Sequence, residues 1–275
     1  MLFATSLEGA ALSLSFADDA LILTVSRDVG VLTLNRPDKR NALTQAMWRA
    51  LPQAIAAVEK DAAIKVLVVT GAGGAFAAGA DIAEFETVYA TRESAAAYAA
   101  EIAEAMEALA NLSKPTIAAI PGPCVGGGLG LALCCDIRMA SDKARLGITP
   151  GKLGLMYALG DTRRLVETVG PSAAKDILYT GRILSATEAL AIRLIDAACP
   201  PEELEAAVAA KAESIATASQ WSARRTKAVV RRILDGQIQD DDTTRAWFLD
   251  ALEGEDFHEG RDAFLQKRTP AFPYR

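Results

Sequence analysis

The chain is poor in the residues that most often carry chemistry. It has one histidine, His258, in a charged stretch near the C-terminus, and no G-x-S-x-G sequence. A serine–histidine–aspartate hydrolase needs both, and His258 reads as an ordinary surface residue. The four cysteines, Cys124, Cys134, Cys135 and Cys199, show no C-x-x-C spacing, so no metal site is expected. They read as buried free thiols in a reducing compartment. No G-x-x-x-x-G-K-[ST] occurs, and Gly71-Ala-Gly73 opens like a dinucleotide loop but has Phe76 where the third glycine belongs. Basic residues are outnumbered, 29 Lys and Arg against 35 Asp and Glu for a net charge of −6. That argues against nucleic acid as a partner but leaves room for a local basic patch facing a small anion. The N-terminal MLFATSLEGAALSLSF is apolar, yet it has no basic start and Glu8 interrupts it. Neither a signal peptide nor a membrane span fits, and a cytoplasmic protein with no membrane partner is expected.

What is present is apolar and periodic. Hydrophobic residues make up 51% of the 275, enough for a sizeable core in one large domain or a domain with an appendage. Leu21–Ser26 and Val31–Asn35 predict a β-hairpin. Thr44–Lys60 carries Met47, Leu51, Ile55 and Val58 at the spacing of one helix face. Lys65–Thr70 (KVLVVT) and Pro115–Ile120 read as strands buried on both faces, Arg145–Gly147 as a further short strand, and Arg92–Leu112 as a long Ala-rich helix. From Asp161 onward the pattern is helical, over Asp161–Val169, Ser172–Tyr179, Thr187–Ala191, Glu202–Thr217, Ser222–Asp235, Asp241–Leu252 and Phe257–Lys267. The organisation expected is an N-terminal extension of unknown role (1–20), an α/β core (21–198) and a helical C-terminal region (199–275).

Two glycine-bearing loops each leave a buried strand and enter a helix. The first is Phe76-Ala-Ala-Gly-Ala-Asp-Ile82; the second is Cys124-Val-Gly-Gly-Gly-Leu-Gly130. Ligands of α/β sheets gather at the carboxyl ends of strands, helix N-termini offer unpaired N–H groups, and glycine admits close backbone approach. Two such ends facing one spot make a pair of N–H donors for an oxyanion. The same glycines would equally serve tight helix–strand packing, and spacing alone leaves both readings open.

With LNRPDKRNAL (Leu34–Leu43), KVLVVTGAGGAFAAGADI (Lys65–Ile82), KPTIAAIPGPCVGGGLGLALCCDIRMAS (Lys114–Ser141), LGITPGKLGL (Leu146–Leu155) and FHEGRDAFLQKR (Phe257–Arg268), the chain resembles the crotonase superfamily, the enoyl-CoA hydratase/isomerase family, from about residue 21 to its end. The resemblance implies a spiral of β-β-α units with a helical trimerisation region, a homotrimer or dimer of trimers. It also implies an acyl-CoA thioester as substrate, with coenzyme A as part of that substrate and no separate cofactor. By position, the family's oxyanion-hole donors fall on the backbone N–H groups of Ala80 and Gly127. Its CoA contacts fall on the loop of Asp38, Lys39 and Arg40 and on Ala78, Gly79, Ala80, Asp81 and Ile82. Phe264 and Lys267 match C-terminal positions that reach the nucleotide end of CoA, often from a neighbouring subunit.

The chain departs from the family at its acids. The two glutamates with which enoyl-CoA hydratases position and activate water correspond here to Gly130 and Pro150, so weak or no hydration of crotonyl-CoA is expected. Thr149-Pro-Gly-Lys-Leu-Gly-Leu-Met-Tyr157 is similar to a segment of methylmalonyl-CoA decarboxylase, a crotonase-fold enzyme without this pair of glutamates; its active-site tyrosine falls on Tyr157, while its active-site histidine falls on Ala80. Tyr157 is either a proton donor to the enolate or a half-buried core tyrosine. Lys152 is a partner for a substrate carboxylate or for CoA phosphate, or a surface lysine. Asp161 reads as a helix N-cap, and Glu84 and Glu86 border the first loop. Three functions follow: an acyl-CoA enzyme with atypical acid–base residues, a decarboxylase of a carboxylated acyl-CoA, and a non-catalytic acyl-CoA-binding protein.

Overall fold

A computed structural model describes residues 12–274; of the segment read as an N-terminal extension, residues 1–11 lie outside the described residues. The chain opens as an antiparallel meander of β1 (Leu12–Phe16), β2 (Leu21–Ser26) and β3 (Val29–Leu34). The hairpin expected from the two apolar runs is β2–β3, turning at Arg27 with φ 52°. β1 continues the same sheet by pairing Leu12 with Val25 through Phe16 with Leu21. Four parallel neighbours complete it: β4 (Val66–Gly71), β5 (Thr116–Ile120), β7 (Ile137–Ser141) and β10 (Ala197–Cys199), in the order β1-β2-β3-β4-β5-β7-β10. β6 (Pro123–Val125), β8 (Arg145–Gly147) and β9 (Ile183–Ser185) form a second, three-stranded sheet.

The spiral comes from the alternation of the chain between the two sheets. It leaves β5 for β6, passes through helix α4 (Gly127–Leu133), returns as β7 and leaves again as β8. Earlier turns reach the small sheet by single pairs, Leu43 with Ala80 and Ala77 with Cys124, both parallel. The mixed α/β fold is thus a β-β-α spiral followed by a helical C-terminal region.

Period-two alternation divides the large sheet into two faces. Leu67, Val69, Ala118 and Ile120 share one core with Trp48, Leu51 and Ile55 of α1 (Gln45–Lys60) and Tyr98, Met106 and Leu109 of α3 (Arg92–Ala110). Val66, Val68, Ile117 and Ala119 point the other way, onto Leu204, Val208, Ala212 and Ala216 of α7 (Leu204–Ala216), one residue per turn. α7 lies in the helical C-terminal part of the sequence, yet it seals the second face of the sheet. The remaining helices are α2 (Phe85–Val88), α5 (Leu159–Thr180), α6 (Ala186–Ala191), α8 (Gln220–Leu234), α9 (Asp242–Glu253) and α10 (Glu255–Gln266). α5 breaks at Gly170 (φ 76°, ψ 164°) before Pro171, the division expected from its sequence. Cys124, Cys134 and Cys135 are buried thiols, but Cys199 is only half-buried, because β10 sits at the sheet edge.

The turn after β3 is fixed by Asn41, fully buried and left-handed at φ 56°. Its Nδ2 donates to the carbonyls of Ala72 and Ala75, both at 2.8 Å, and its Oδ1 accepts the N–H of Arg36 at 2.9 Å. One side chain thus ties the 36–41 turn to the loop after β4. Replacing Asn41 by Ala orphans these backbone groups and adds a strained left-handed alanine. Asn41→Ala is expected to cost about 2–4 kcal/mol in chemical denaturation; a loss below about 0.5 kcal/mol, the range of ordinary surface substitutions, would contradict the assignment.

Candidate active site

The first glycine-bearing loop is held from both sides. On one side Ala78 N–H donates to Arg40 O (2.9 Å), Leu43 N–H to Gly79 O (2.8 Å) and Asp81 N–H to Leu43 O (2.9 Å). On the other, Phe76 and Ala77 N–H donate to Pro123 O (2.9 and 3.1 Å) and Val125 N–H donates to Ala77 O (2.9 Å). In the bridge to Leu43 it is the neighbours of Ala80 that make the bonds, so the N–H of Ala80 faces away from Leu43. Gly127 is the first residue of α4, where no intrahelical acceptor exists. Among the described residues neither N–H has a hydrogen-bond acceptor.

The two loops meet at glycine. Gly79 has φ 105° and Gly126 φ 54°, and a Cβ on Gly126 would stand 3.7 Å from the Cα of Gly79, while one on Gly79 would stand 3.3 Å from Val125 O. Left-handed backbone on both sides and no side chain between them brings Ala80 and Gly127 to one cavity of about 300 Å³. Trp48 closes its inner side, with its ring 3.2 Å from where a Cβ of Gly127 would be. Ile82, Tyr89, Leu153, Leu155 and Met156 stand exposed around it, so its rim is apolar.

Of the residues singled out in the sequence, Ala78, Gly79, Ala80, Ile82, Gly127, Thr149 and Tyr157 line this cavity. Lys39 and Arg40 are exposed on the neighbouring turn, joined to the loop through the Arg40 carbonyl. The Asp81 carboxylate engages Arg36 Nη1 at 2.9 Å and Ala83 N–H at 3.2 Å, so its side chain holds two loops together. Phe264 and Lys267 are on and just beyond α10, outside the cavity lining, and Phe264 is 83% exposed. Glu84 accepts the Gln45 N–H at 2.7 Å, Glu86 is exposed, and the stem of Lys152 lies over Gly181; none of the three lines the cavity.

Position 150 is on the cavity wall, as proline. Position 130 is beneath it. A Cβ on Gly130 would come 2.7 Å from the Tyr157 hydroxyl and 2.9 Å from Met106 Cε. That hydroxyl donates to Gly126 O at 3.0 Å, the same carbonyl that accepts the first helical bond of α4 from Gly130. Burial first, and the Asp161 charge second, hold the phenol well above the usual tyrosine range, so it stays protonated.

Asp161 is not the N-cap of its helix. α5 begins at Leu159 with Ala158 as cap, which puts Asp161 inside the first turn. There its carboxylate contacts Arg164 Nη1 at 3.3 Å, and Arg164, 8% exposed, also donates to Glu107 of α3. Asp161, Arg164 and Glu107 all line the cavity. The i, i+3 spacing of Asp161 and Arg164 was visible in the sequence; their convergence with Glu107 was not. The space above Gly130 generates a prediction. Gly130→Ala is expected to cost about 1–3 kcal/mol by overpacking, and less in a Tyr157→Phe background, which removes the nearest atom. Equal cost in both backgrounds, read by a double-mutant cycle of unfolding free energies, would overturn the contact.

The family model for enoyl-CoA hydratase/isomerase matches residues 24–275. A probable enoyl-CoA hydratase of Mycobacterium tuberculosis is 36% identical over 256 residues, covering 92% of this chain and 98% of that one. The crotonyl-CoA hydratase of Syntrophomonas wolfei is 35% identical, covering 93% and 98%. Among solved structures, a putative enoyl-CoA hydratase/isomerase family protein from Hyphomonas neptunium superimposes with a TM-score of 0.91 at 46% identity, covering 93% and 98%. The chain belongs to the enoyl-CoA hydratase/isomerase family.

Proposed function

We propose that this enzyme binds an acyl-CoA with its thioester oxygen on the N–H groups of Ala80 and Gly127 and stabilises the enolate that forms when charge moves onto that oxygen. The observation that carries the reading is that these two N–H groups have no acceptor among the described residues and border one cavity. Fixed backbone donors in a largely apolar pocket need no reorganisation as the charge develops, and one such donor is worth about 3–4 kcal/mol in an enzyme. Coenzyme A runs out over the exposed turn of Lys39 and Arg40, whose side chains supply the cationic patch that the net charge of −6 conceals. Phe264 and Lys267 reach it from a neighbouring subunit of a homotrimer or dimer of trimers. Exposed Val230, Ile233, Phe248, Leu249 and Leu265 on α8–α10 support such an assembly.

Hydration through two carboxylates is not what this site favours. Proline at 150 carries no proton donor, and the space over Gly130 is taken by the Tyr157 hydroxyl. The decarboxylase reading rests on Tyr157, since Lys152 lies outside the cavity lining.

Three measurements test the proposal. Saturated acyl-CoA esters such as hexanoyl-CoA are expected to raise the melting temperature in a concentration-dependent way. The enzyme is expected to exchange the α-hydrogens of hexanoyl-CoA for deuterium in D2O, read by mass spectrometry. Crotonyl-CoA hydration is expected to run below the about 1–1000 per second usual for enzymes. Binding without α-exchange would sink the enolate and leave an acyl-CoA-binding protein; CO2 release from malonyl- or methylmalonyl-CoA without α-exchange would favour the decarboxylase.

A further inference from the structure

An enolate needs a base as well as an oxyanion hole, and the titratable groups on the cavity wall are Tyr89, Tyr98, Glu107, Tyr157, Asp161 and Arg164. The three phenols are held protonated: burial raises Tyr89, pushes Tyr98 to about 12 and holds Tyr157 well above the usual tyrosine range. A protonated phenol donates and does not take a proton from carbon. The guanidinium of Arg164 donates hydrogen bonds and accepts none.

The two carboxylates differ. Glu107 is half-exposed, with a side chain 46% accessible, and it is saturated: Arg164 and Asn111 donate to it, and Arg231 Nη2 stands 3.7 Å away. Asp161 is enclosed, with a side chain 13% accessible, and its one bond is the 3.3 Å contact from Arg164 to Oδ1. Oδ2 has no hydrogen-bond partner among the described residues. The cation beside Asp161 is divided between it and Glu107, and Arg164 Nε has no partner among the described residues. The Asp161 carboxylate therefore lines the same cavity as the N–H groups of Ala80 and Gly127 and is weakly neutralised, the combination that leaves it basic.

We propose that Asp161 is the base of this site, taking the α-proton of the bound acyl-CoA on Oδ2 and returning it. This rests on the reading that Ala80 and Gly127 hold a thioester oxygen. As the Cα–H bond breaks, its electron pair forms the Cα–C double bond, the carbonyl π electrons move to the oxygen, and the proton makes the Asp161 carboxylic acid. Collapse of the enolate takes the proton, or a solvent deuteron exchanged onto that acid, back to carbon. No oxidant, reductant or further reactant enters. Side chains at 130 and 150, glycine and proline, are not required, because one carboxylate both removes and restores the proton.

The pH dependence has a definite sign. Burial raises the Asp161 carboxyl, Arg164 on its own helix opposes this and Glu107 of α3 adds to it. Among the described residues Tyr157 in the segment before α5 and Cys134 in the cap of α4 also feel its charge, and Arg231 of α8 stands beside Glu107. A base works ionised, so exchange is present above the raised value and lost as pH falls through it.

The experiment is α-hydrogen exchange of hexanoyl-CoA in D2O by the intact enzyme, its Asp161→Asn variant and its Asp161→Glu variant, with thermal shift by hexanoyl-CoA measured on each. The expected result is a loss of about 100-fold or more in D161N with the ligand-induced thermal shift kept. D161E should recover part of the rate and the acid-side pH limb. D161N exchange within threefold of the unaltered enzyme overturns the assignment while the enolate reading stands. A D161N that no longer binds hexanoyl-CoA, together with a D161E that binds but does not exchange, overturns it too. If the unaltered enzyme binds without exchanging, the enolate reading itself fails, and the base assignment with it.

Discussion

Three successive turns of the spiral lie side by side through parallel bridges, and the site exists because of how such bridges use their amide groups. In a parallel pair, one residue bonds with both of its amide groups to the flanks of the other, and the second residue's own groups face outward. Leu43 bonds to Gly79 and Asp81, which leaves Ala80; Ala77 bonds to Pro123 and Val125, which brings the head of α4 alongside. Gly79 and Gly126 permit the approach, since a side chain on either would enter the space between the loops in a backbone conformation that disfavours one. The outward N–H of Ala80 and the first N–H of α4 therefore border one cavity as a by-product of the same pairing that builds the small sheet. Asn41 works one turn earlier to the same end, fixing the strand that the first bridge needs.

The polar part of the cavity follows a second constraint, which is that a buried cation needs company. Arg164 is nearly inaccessible, and its guanidinium is matched by one enclosed and one half-exposed carboxylate. Isolating such a cation would cost several kcal/mol, so the Asp161–Arg164–Glu107 group is a structural necessity of placing arginine on the inner face of α5. What the structure does with that necessity is unequal sharing. Glu107 has several donors and solvent; Asp161 has one long contact and little water. Burial then acts on Asp161 in the direction that raises its carboxyl.

Much of this was legible in residue order. β4 and β5 announce themselves as buried apolar runs, and α1 shows its face through Met47, Leu51, Ile55 and Val58. The division of α5 at Gly170-Pro171 is a local backbone fact. The strands β6, β9 and β10 have three residues each and are defined by partners far along the chain, so no local period marks them. β1 does alternate, as Leu-Ser-Leu-Ser-Phe, but it ends the apolar N-terminal run and was read as part of that run. Asp161 misled because an aspartate before Thr-Arg-Arg-Leu suits an N-cap as well as a first turn; what decides is the extended backbone of Ala158. The loops were located, but which of their amides stay unpartnered depends on which ones the bridges consume, and that is a property of pairing.

The site therefore has two parts of different character. The donors at Ala80 and Gly127 are backbone groups set by the pairing of loops, and no side-chain substitution short of proline removes them. The side chains around them, at 130, 150, 157 and 161, lie on a helix, a turn and the segment that opens α5, and none of them supplies a bond of the bridges. Glycine at 130 and tyrosine at 157 change together in effect, because the hydroxyl occupies the space a side chain at 130 would enter and is anchored to the Gly126 carbonyl beside the donors. Such a division lets the paired loops keep two unpartnered N–H groups at the cavity while the side chains around them are exchanged. Membership of the family thus says more about the backbone of this cavity than about the side chains that line it.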